Sequence, residues 1–351
     1  MLYPLKFKPL YKDYVWGGRN LEKLGKSLPE GIVAESWEVS CHKNGISIIA
    51  NGEFEGISLP ALIEISGKKL IGNSLSEKSI EKFPLLVKLI DADKNLSVQV
   101  HPDDCYAWFH ENGEYGKNEM WYIIAAKPGA RLIYDVMPGT TRESFSKAIT
   151  EGNIETCLKS IEVNPGDAIY IPSGLVHAIG QGIMLAEVQQ NSDTTYRVYD
   201  CGRIGRPLHI EKALEVINFN SAGRKEKYKG LEVDMDNVSS KTYMIANSLF
   251  SVEIYDINGS VCEKAIGDKF YIYIFINGSG IIEWNNGVLS ISSGESVLIP
   301  ASLGTYSIKG SLKCIKTYIP DIESDILTPL KKYGYTLDVI QDKIGGLEKY
   351  I

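Results

Sequence analysis

The sequence predicts a mainly β protein built from two related barrels, with a few helices inserted in the N-terminal half. Three observations carry that expectation. From Ile161, and again from Gly230, short strand-forming runs alternate with glycine and proline turns, as in sandwiches and barrels. Pro165-Gly-Asp-Ala-Ile-Tyr-Ile-Pro172 and Ser293-Gly-Glu-Ser-Val-Leu-Ile-Pro300 repeat the order turn, acid, strand, proline at one spacing, which marks an internal duplication. Between Leu96 and His101, apolar Leu96, Val98 and Val100 alternate with Ser97, Gln99 and His101. Side chains switch faces at each strand residue, so Gln99 and His101 point the same way, toward a polar interior, with a packed face behind them.

Taken in order, Tyr14-Val-Trp-Gly-Gly-Arg19 reads as a glycine turn and Ala34-Glu-Ser-Trp-Glu-Val-Ser40 as a short strand, with both tryptophans as core anchors. Leu59 to Ile71 and Ser79 to Phe83 have helical spacing, with Gly67 and Gly72 limiting the first helix. Pro102-Asp103-Asp104 starts a short helix that ends at Asn112-Gly113, and Glu119 to Ile124 reads as a strand. A helix is expected over Arg142 to Leu158, capped by Thr140 or Thr141, and a strand over Val188 to Val198. Ile210 to Val216 reads as a helix, and Asn277-Gly-Ser-Gly280 as a hairpin turn between the Phe270 to Ile276 and Ile281 to Trp284 strands. The expected division is a site-bearing unit over 1–229, a second barrel without the site over 230–320, and a tail over 321–351, helical around Tyr335 to Ile344.

The 351 residues suffice for a sizeable core, and 44% hydrophobic with 23% charged residues excludes a disordered chain. The net charge of −7 and the lack of a basic block argue against nucleic acid or an anionic membrane as partner. The longest apolar run, Phe270 to Ile276, is too short to span a bilayer as a helix. Lys6, Lys8 and Lys12 interrupt any signal-peptide core, and six scattered cysteines without a C-x-x-C pair suit a reducing cytoplasm.

Three separated stretches supply metal-type side chains: Gln99 with His101, Glu119, and His177. Two imidazoles, a carboxylate and an amide oxygen form a mixed N/O set suited to Zn, Fe or Mn, with room left for water or substrate. In the second copy of the repeat, Thr305 stands where His177 stands in the first. His42, His110 and His209 read as solvated or capping residues. Lys117 shares the face of Glu119 two positions on, and Arg197, with Glu187 ten positions before it, completes the charged candidates. These can bind an anion, stabilise oxyanion charge, move protons, or, for Glu187, orient the arginine. No nucleophile elbow, Walker loop or dinucleotide glycine pattern is present.

Tyr14-Val-Trp-Gly-Gly18, Ala34 to Ser40, Leu96 to Asp103, Lys117-Asn-Glu-Met-Trp-Tyr122, Ile171-Pro-Ser-Gly-Leu-Val-His177 and Gln190 to Arg197 together resemble type I mannose-6-phosphate isomerase in its shorter bacterial form, over about residues 1 to 220. That resemblance implies two cupin-type (jelly-roll) barrels and one Zn²⁺ per chain. It also implies interconversion of D-mannose 6-phosphate and D-fructose 6-phosphate, a phosphosugar being the only partner expected. It makes Gln99, His101, Glu119 and His177 the zinc ligands and Arg197 the active-site arginine, while Lys117 and Glu187 line the pocket. A cupin oxygenase using Fe or Mn, and a non-catalytic sugar-binding cupin, are the alternative readings.

Overall fold

The computed structural model describes residues 1–75, 81–220, 224–348 and 350. The helical segment expected at Ser79 to Phe83 lies partly outside them. Strand dominates, and no described helix is long and apolar enough to cross a membrane.

Two sheets enclose the predicted site. One has six strands, ordered Ala168–Ile171, Glu119–Ala126, Ile183–Gln190, Leu85–Ala92, Glu35–Val39 and Leu10–Lys12. The other has five, ordered Leu158–Glu162, Arg131–Val136, His177–Ile179, Val98–Val100 and Tyr196–Tyr199. Their inner faces meet in one apolar cluster, where Ile90, Trp121, Ile123 and Leu185 of the first pack with Leu132, Tyr134, Ile161 and Ile179 of the second. The protein is mainly β, as expected; neither sheet closes on itself, and the two face each other across that cluster.

A nine-stranded sheet carries the second half. Its longest strands, Ser251–Ala265 and Gly304–Tyr318, pair along their whole length from Ser251 opposite Tyr318 to Ala265 opposite Gly304. The edge of this sheet is completed from the other end of the chain: Leu5–Lys8 pairs with Ser296–Ile299 on one side and with Ile48–Ile49 on the other. Glu38 of the six-stranded sheet joins this seam, accepting a hydrogen bond from Ser296 Oγ at 3.1 Å and pairing with buried Lys26 at 2.7 Å.

The repeat is a real structural unit. In the first copy Asp167 Oδ2 accepts the backbone N–H of Asn164 at 2.9 Å, and in the second Glu295 Oε2 accepts that of Ser292 at 2.8 Å. Each acid closes the turn before its strand and takes a lysine from elsewhere, Lys227 and Lys229 for Asp167 and Lys6 for Glu295. Burial alone would raise the Asp167 pKa, but the Asn164 N–H and the two ammonium groups outweigh it and hold the carboxyl below its ordinary value. A depressed folded-state pKa gives stability that is complete above the unfolded value and is lost as pH falls through the folded one. Asp167→Asn should therefore cost about 1.5–3 kcal/mol at neutral pH. Its melting temperature should also fall less than the wild type's between pH 6 and pH 3; parallel curves would refute this role.

Four local expectations are corrected. The Arg142 helix stops at Thr150, because Gly152 takes a left-handed φ of 71°; a 3₁₀ turn over Ile154–Cys157 and the Leu158–Glu162 strand follow. Thr141 does cap it, with Ser144 returning the bond. The Val188 to Val198 strand is two strands, Ile183–Gln190 and Tyr196–Tyr199, which lie in different sheets. Asn277 to Gly280 is no turn: Tyr271–Trp284 runs through it with a bulge, and both halves pair with Gly304–Tyr318. Gly278 (φ 76°) is needed there because a Cβ would lie 2.0 Å from the Ser311 carbonyl oxygen; the reversal comes later, between Trp284 and Gly287. His42, expected to be solvated or capping, is not solvated: it is buried and caps its turn by accepting the Asn44 N–H at 3.2 Å. The tail docks through Ile326, Leu330, Ile340, Ile344 and Leu347 against Leu231, Val233 and Tyr243, with a helix at Leu337–Lys343.

Candidate metal centre

Strand register assembles the site. Gln99 is paired with His177 on one side and Arg197 on the other, so all three leave the same face of the five-stranded sheet. Val98, Val100, Ala178 and Val198 point the other way, into the apolar layer beneath the helices Arg142–Thr150 and Ile210–Val216. His101 follows Val98–Val100 on the Gln99 face, and Glu119 opens a strand of the facing sheet. His101 Nε2 lies 3.2 Å from Glu119 Oε1, and His177 Nε2 lies 3.8 Å from Glu119 Oε2. Among the described residues, these three form the only His/Cys/Asp/Glu group whose donor atoms could close on one ion, all within 4.8 Å of one another.

The surroundings fix which atoms face inward. Nδ1 of His101 bonds the Thr194 carbonyl and Nδ1 of His177 bonds the Leu175 carbonyl, both at 2.9 Å. Each ring therefore carries its proton on Nδ1 and turns the Nε2 lone pair toward the cluster, as second-sphere carbonyls do for metal-bound histidines. Glu119 Oε2 is buried and makes no hydrogen bond, an acceptor held without a partner inside the cluster. Burial, joined by the Lys117 charge, lowers the His101 pKa; burial and neighbouring His101 bring His177 down to about 3. Burial would raise Glu119, but Lys117 and His101 more than offset it and hold the carboxyl well below its usual range. Neutral imidazoles beside an ionised carboxylate are the protonation states a divalent cation requires, so the donor set fits a metal.

Gln99 Nε2 sits 3.4 Å from His177 Nε2, and turning that amide over brings its oxygen to the same point. Lys117 Nζ is 3.1 Å from His101 Nε2 and ion-paired with Glu119 Oε1. Arg197 donates through Nε to Ser97 Oγ at 3.2 Å and through Nη1 to the Pro207 carbonyl at 2.9 Å. Its backbone N–H is accepted by His209 Nδ1, at the head of the Ile210–Val216 helix. His101, Glu119 and His177 are fully enclosed while Gln99 and Arg197 are half-buried, so the centre meets solvent on the side of that pair.

The match to known proteins is extensive. Residues 4–120 match the family described as phosphomannose isomerase type I, catalytic domain, and residues 239–319 match mannose-6-phosphate isomerase, cupin domain. Over 321 residues the chain is 38% identical to mannose-6-phosphate isomerase ManA of Bacillus subtilis (strain 168), covering 90% of this chain and 99% of that protein. The chain belongs to the type I phosphomannose isomerase family. A mannose-6-phosphate isomerase of Streptococcus mutans is 35% identical over 328 residues, 91% of this chain and 99% of that one. The crystal structure of the Bacillus subtilis mannose 6-phosphate isomerase superposes with a TM-score of 0.82 at 33% identity, over 90% of this chain and 99% of that chain.

This type I phosphomannose isomerase holds a second charged group that sequence reasoning missed. Lys88, in the centre of Leu85–Ala92, is buried between Glu187, 3.1 Å away, and Glu35, 3.7 Å away, with the Trp37 ring 5.2 Å from its ammonium. Glu187 is thus engaged by Lys88, and by Trp121 Nε1 at 2.9 Å, and does not orient Arg197. Burial would strip the Lys88 proton, but Glu187 and Glu35 reverse this and raise its pKa; Glu187 itself is raised by burial and by the charge of Glu119. The available signal was the residue itself, a lysine inside the apolar run Pro84-Leu-Leu-Val-Lys-Leu-Ile90.

Proposed function

We infer that the chain interconverts D-mannose 6-phosphate and D-fructose 6-phosphate, an aldose–ketose isomerisation through an enediolate. The observation that carries this is the enclosed His101–Glu119–His177 cluster, in a chain whose likeness to mannose-6-phosphate isomerases spans nine-tenths of its length. The architecture behind it is two cupin-type jelly-roll units, over 1–229 and 230–320, with 321–351 as a docked tail. One Zn²⁺ per chain would be held by His101, Glu119 and His177, with the Gln99 amide oxygen as a further ligand. When bound, Zn²⁺ supplies Lewis-acid polarisation of the sugar carbonyl.

The side chains divide the remaining work. Isomerisation takes a proton from C2 and returns it to C1, so one group must accept and release it on the same face. Lys117 is the candidate for that role, its Nζ 3.1 Å from His101 Nε2 at the ligand cluster, whereas Glu187 is ion-paired with Lys88 through Oε1 and accepts the Trp121 Nε1–H through Oε2. Glu187 and Lys88 instead anchor the floor of the site. Arg197, Arg203 and Arg206 surround a single carboxylate, Asp200, leaving excess positive charge at the open side of the centre. That charge suits the substrate phosphate and, at Arg197, the developing oxyanion. The six cysteines are unpaired, which supports a cytoplasmic setting.

The test is isomerisation of mannose 6-phosphate by the purified protein as made, after chelation and after zinc is restored. Activity should vanish with chelator and return with Zn²⁺. A protein that binds metal yet is inactive in every state would overturn the isomerase reading and favour an oxygenase or a sugar-binding protein.

A further inference from the structure

Tyr196–Tyr199 is the outermost strand of the five-stranded sheet, so one edge of its backbone has no strand beside it. A half-buried peptide on that edge still needs partners for its N–H and C=O. At Arg197 one residue supplies both: His209 Nδ1 accepts the Arg197 N–H at 3.2 Å, and the Arg197 carbonyl accepts the His209 N–H at 2.8 Å. A neighbouring antiparallel strand would make the same pair of bonds, and here an imidazole nitrogen stands where that strand's carbonyl oxygen would stand.

The same segment holds the side chain. Arg197 Nη1 donates to the carbonyl of Pro207, two residues before His209, at 2.9 Å. Backbone and guanidinium are thus referred to one support, residues 207–209, and that support is itself anchored. The His209 carbonyl accepts the Ala213 N–H in the first turn of the Ile210–Val216 helix. Ile210, Ala213, Leu214 and Ile217 pack in one apolar cluster with Val98, Val100 and Val198. On the outer side Lys212 pairs with Glu111 at 2.7 Å, and Glu111 also accepts the Tyr196 hydroxyl at 2.8 Å.

The direction of the His209 side chain singles it out. A polar residue at a helix start ordinarily turns its side chain onto the free N–H groups of that helix, and His209 makes no such bond. Its ring turns back to the strand. Accepting the Arg197 N–H requires an unprotonated Nδ1. Burial and the charges of Arg197 and Lys212 lower the His209 pKa against the opposing charge of Glu111, which keeps the ring neutral near pH 7. A serine or aspartate would serve the helix better; the imidazole serves Arg197.

We propose that His209 is a positioning residue of the isomerisation, fixing through Nδ1 the Arg197 peptide at the sheet edge and so the place where the guanidinium stands beside Gln99 and the metal centre. The proposal rests on the isomerase reading, since it takes Arg197 as the group that meets the developing oxyanion.

The test is steady-state isomerisation of mannose 6-phosphate by the full-length, zinc-loaded protein and its His209→Ala, His209→Asn and His209→Gln variants, with zinc content and a urea melt on each preparation. His209→Ala should lower kcat by about tenfold to a hundredfold, with KM changed less than about threefold and zinc content unchanged. Asparagine carries its amide oxygen at the place of Nδ1 and glutamine at the place of Nε2, so His209→Asn should recover most of that loss and His209→Gln should not. A merely structural role would make kcat follow the urea midpoint across the variants, whatever the position of the acceptor, and would overturn the proposal. Wild-type kcat in folded His209→Ala would do the same, as would equal kcat in the Asn and Gln variants, the pair that decides the matter if His209→Ala does not fold. A wild type without isomerase activity would overturn the isomerase reading, and this proposal with it.

Discussion

His101→Ala is expected to release the bound metal and to lower kcat/KM for mannose 6-phosphate by about 10³-fold or more, while the chain stays folded. The imidazole is one of the three enclosed donors of the cluster, and its loss leaves only Glu119 and His177, with the half-buried Gln99 amide, to hold a divalent ion. Lys117, already paired with Glu119, keeps that carboxylate compensated, so removal of the ring does not strand a buried charge. The Thr194 carbonyl loses its partner, at a cost of about 1–3 kcal/mol. Metal content by elemental analysis, turnover and a urea melt on the same preparation separate the possibilities. Loss of metal with turnover intact would remove the metal from the reaction, and global unfolding would make its role structural.

Lys88→Met is expected to have the largest effect on stability, about 3–5 kcal/mol, because it leaves Glu187 and Glu35 facing each other in the interior without their shared cation. Methionine nearly matches the length of the lysine stem, so lost packing contributes little. Adding Glu187→Gln to Lys88→Met should recover a large part of the loss, since the second change removes the charge that the first stranded. Denaturant unfolding of the two single variants and the double variant gives the coupling directly. Additive losses would show that the three groups do not act as one buried network.

The metal cluster was legible because strand periodicity is local: alternation from Leu96 to His101 places Gln99 and His101 together, and the spacing of Lys117 and Glu119 does the same. Lys88 was not, because every residue of Leu85–Ala92 is buried and its partners come from two other strands. Periodicity says which side a residue faces and nothing about which charge stands opposite. The same limit explains Asn277-Gly278, where a sequence suited to a turn relieves a close approach to the Ser311 carbonyl within a continuous strand. The shared turn bond of Asp167 and Glu295 followed the repeat faithfully, since the acid and the N–H it accepts lie three residues apart. The seam between Leu5–Lys8 and Ser296–Ile299 left no trace in either segment.

That seam bears on how the molecule is made. Lys6 and Glu295, 289 positions apart, form a 2.6 Å ion pair beside the pairing of Leu5 with Leu298. Of the two neighbours of Leu5–Lys8 in the nine-stranded sheet, Ile48–Ile49 follows it closely, whereas Ser296–Ile299 arrives only after nearly 290 further residues. Closing so long a loop is a late step, paid in chain entropy before its contacts are gained. The Leu5–Lys8 segment must therefore wait with an unpaired edge while the intervening chain is translated, a period in which a chaperone has a strand to shield.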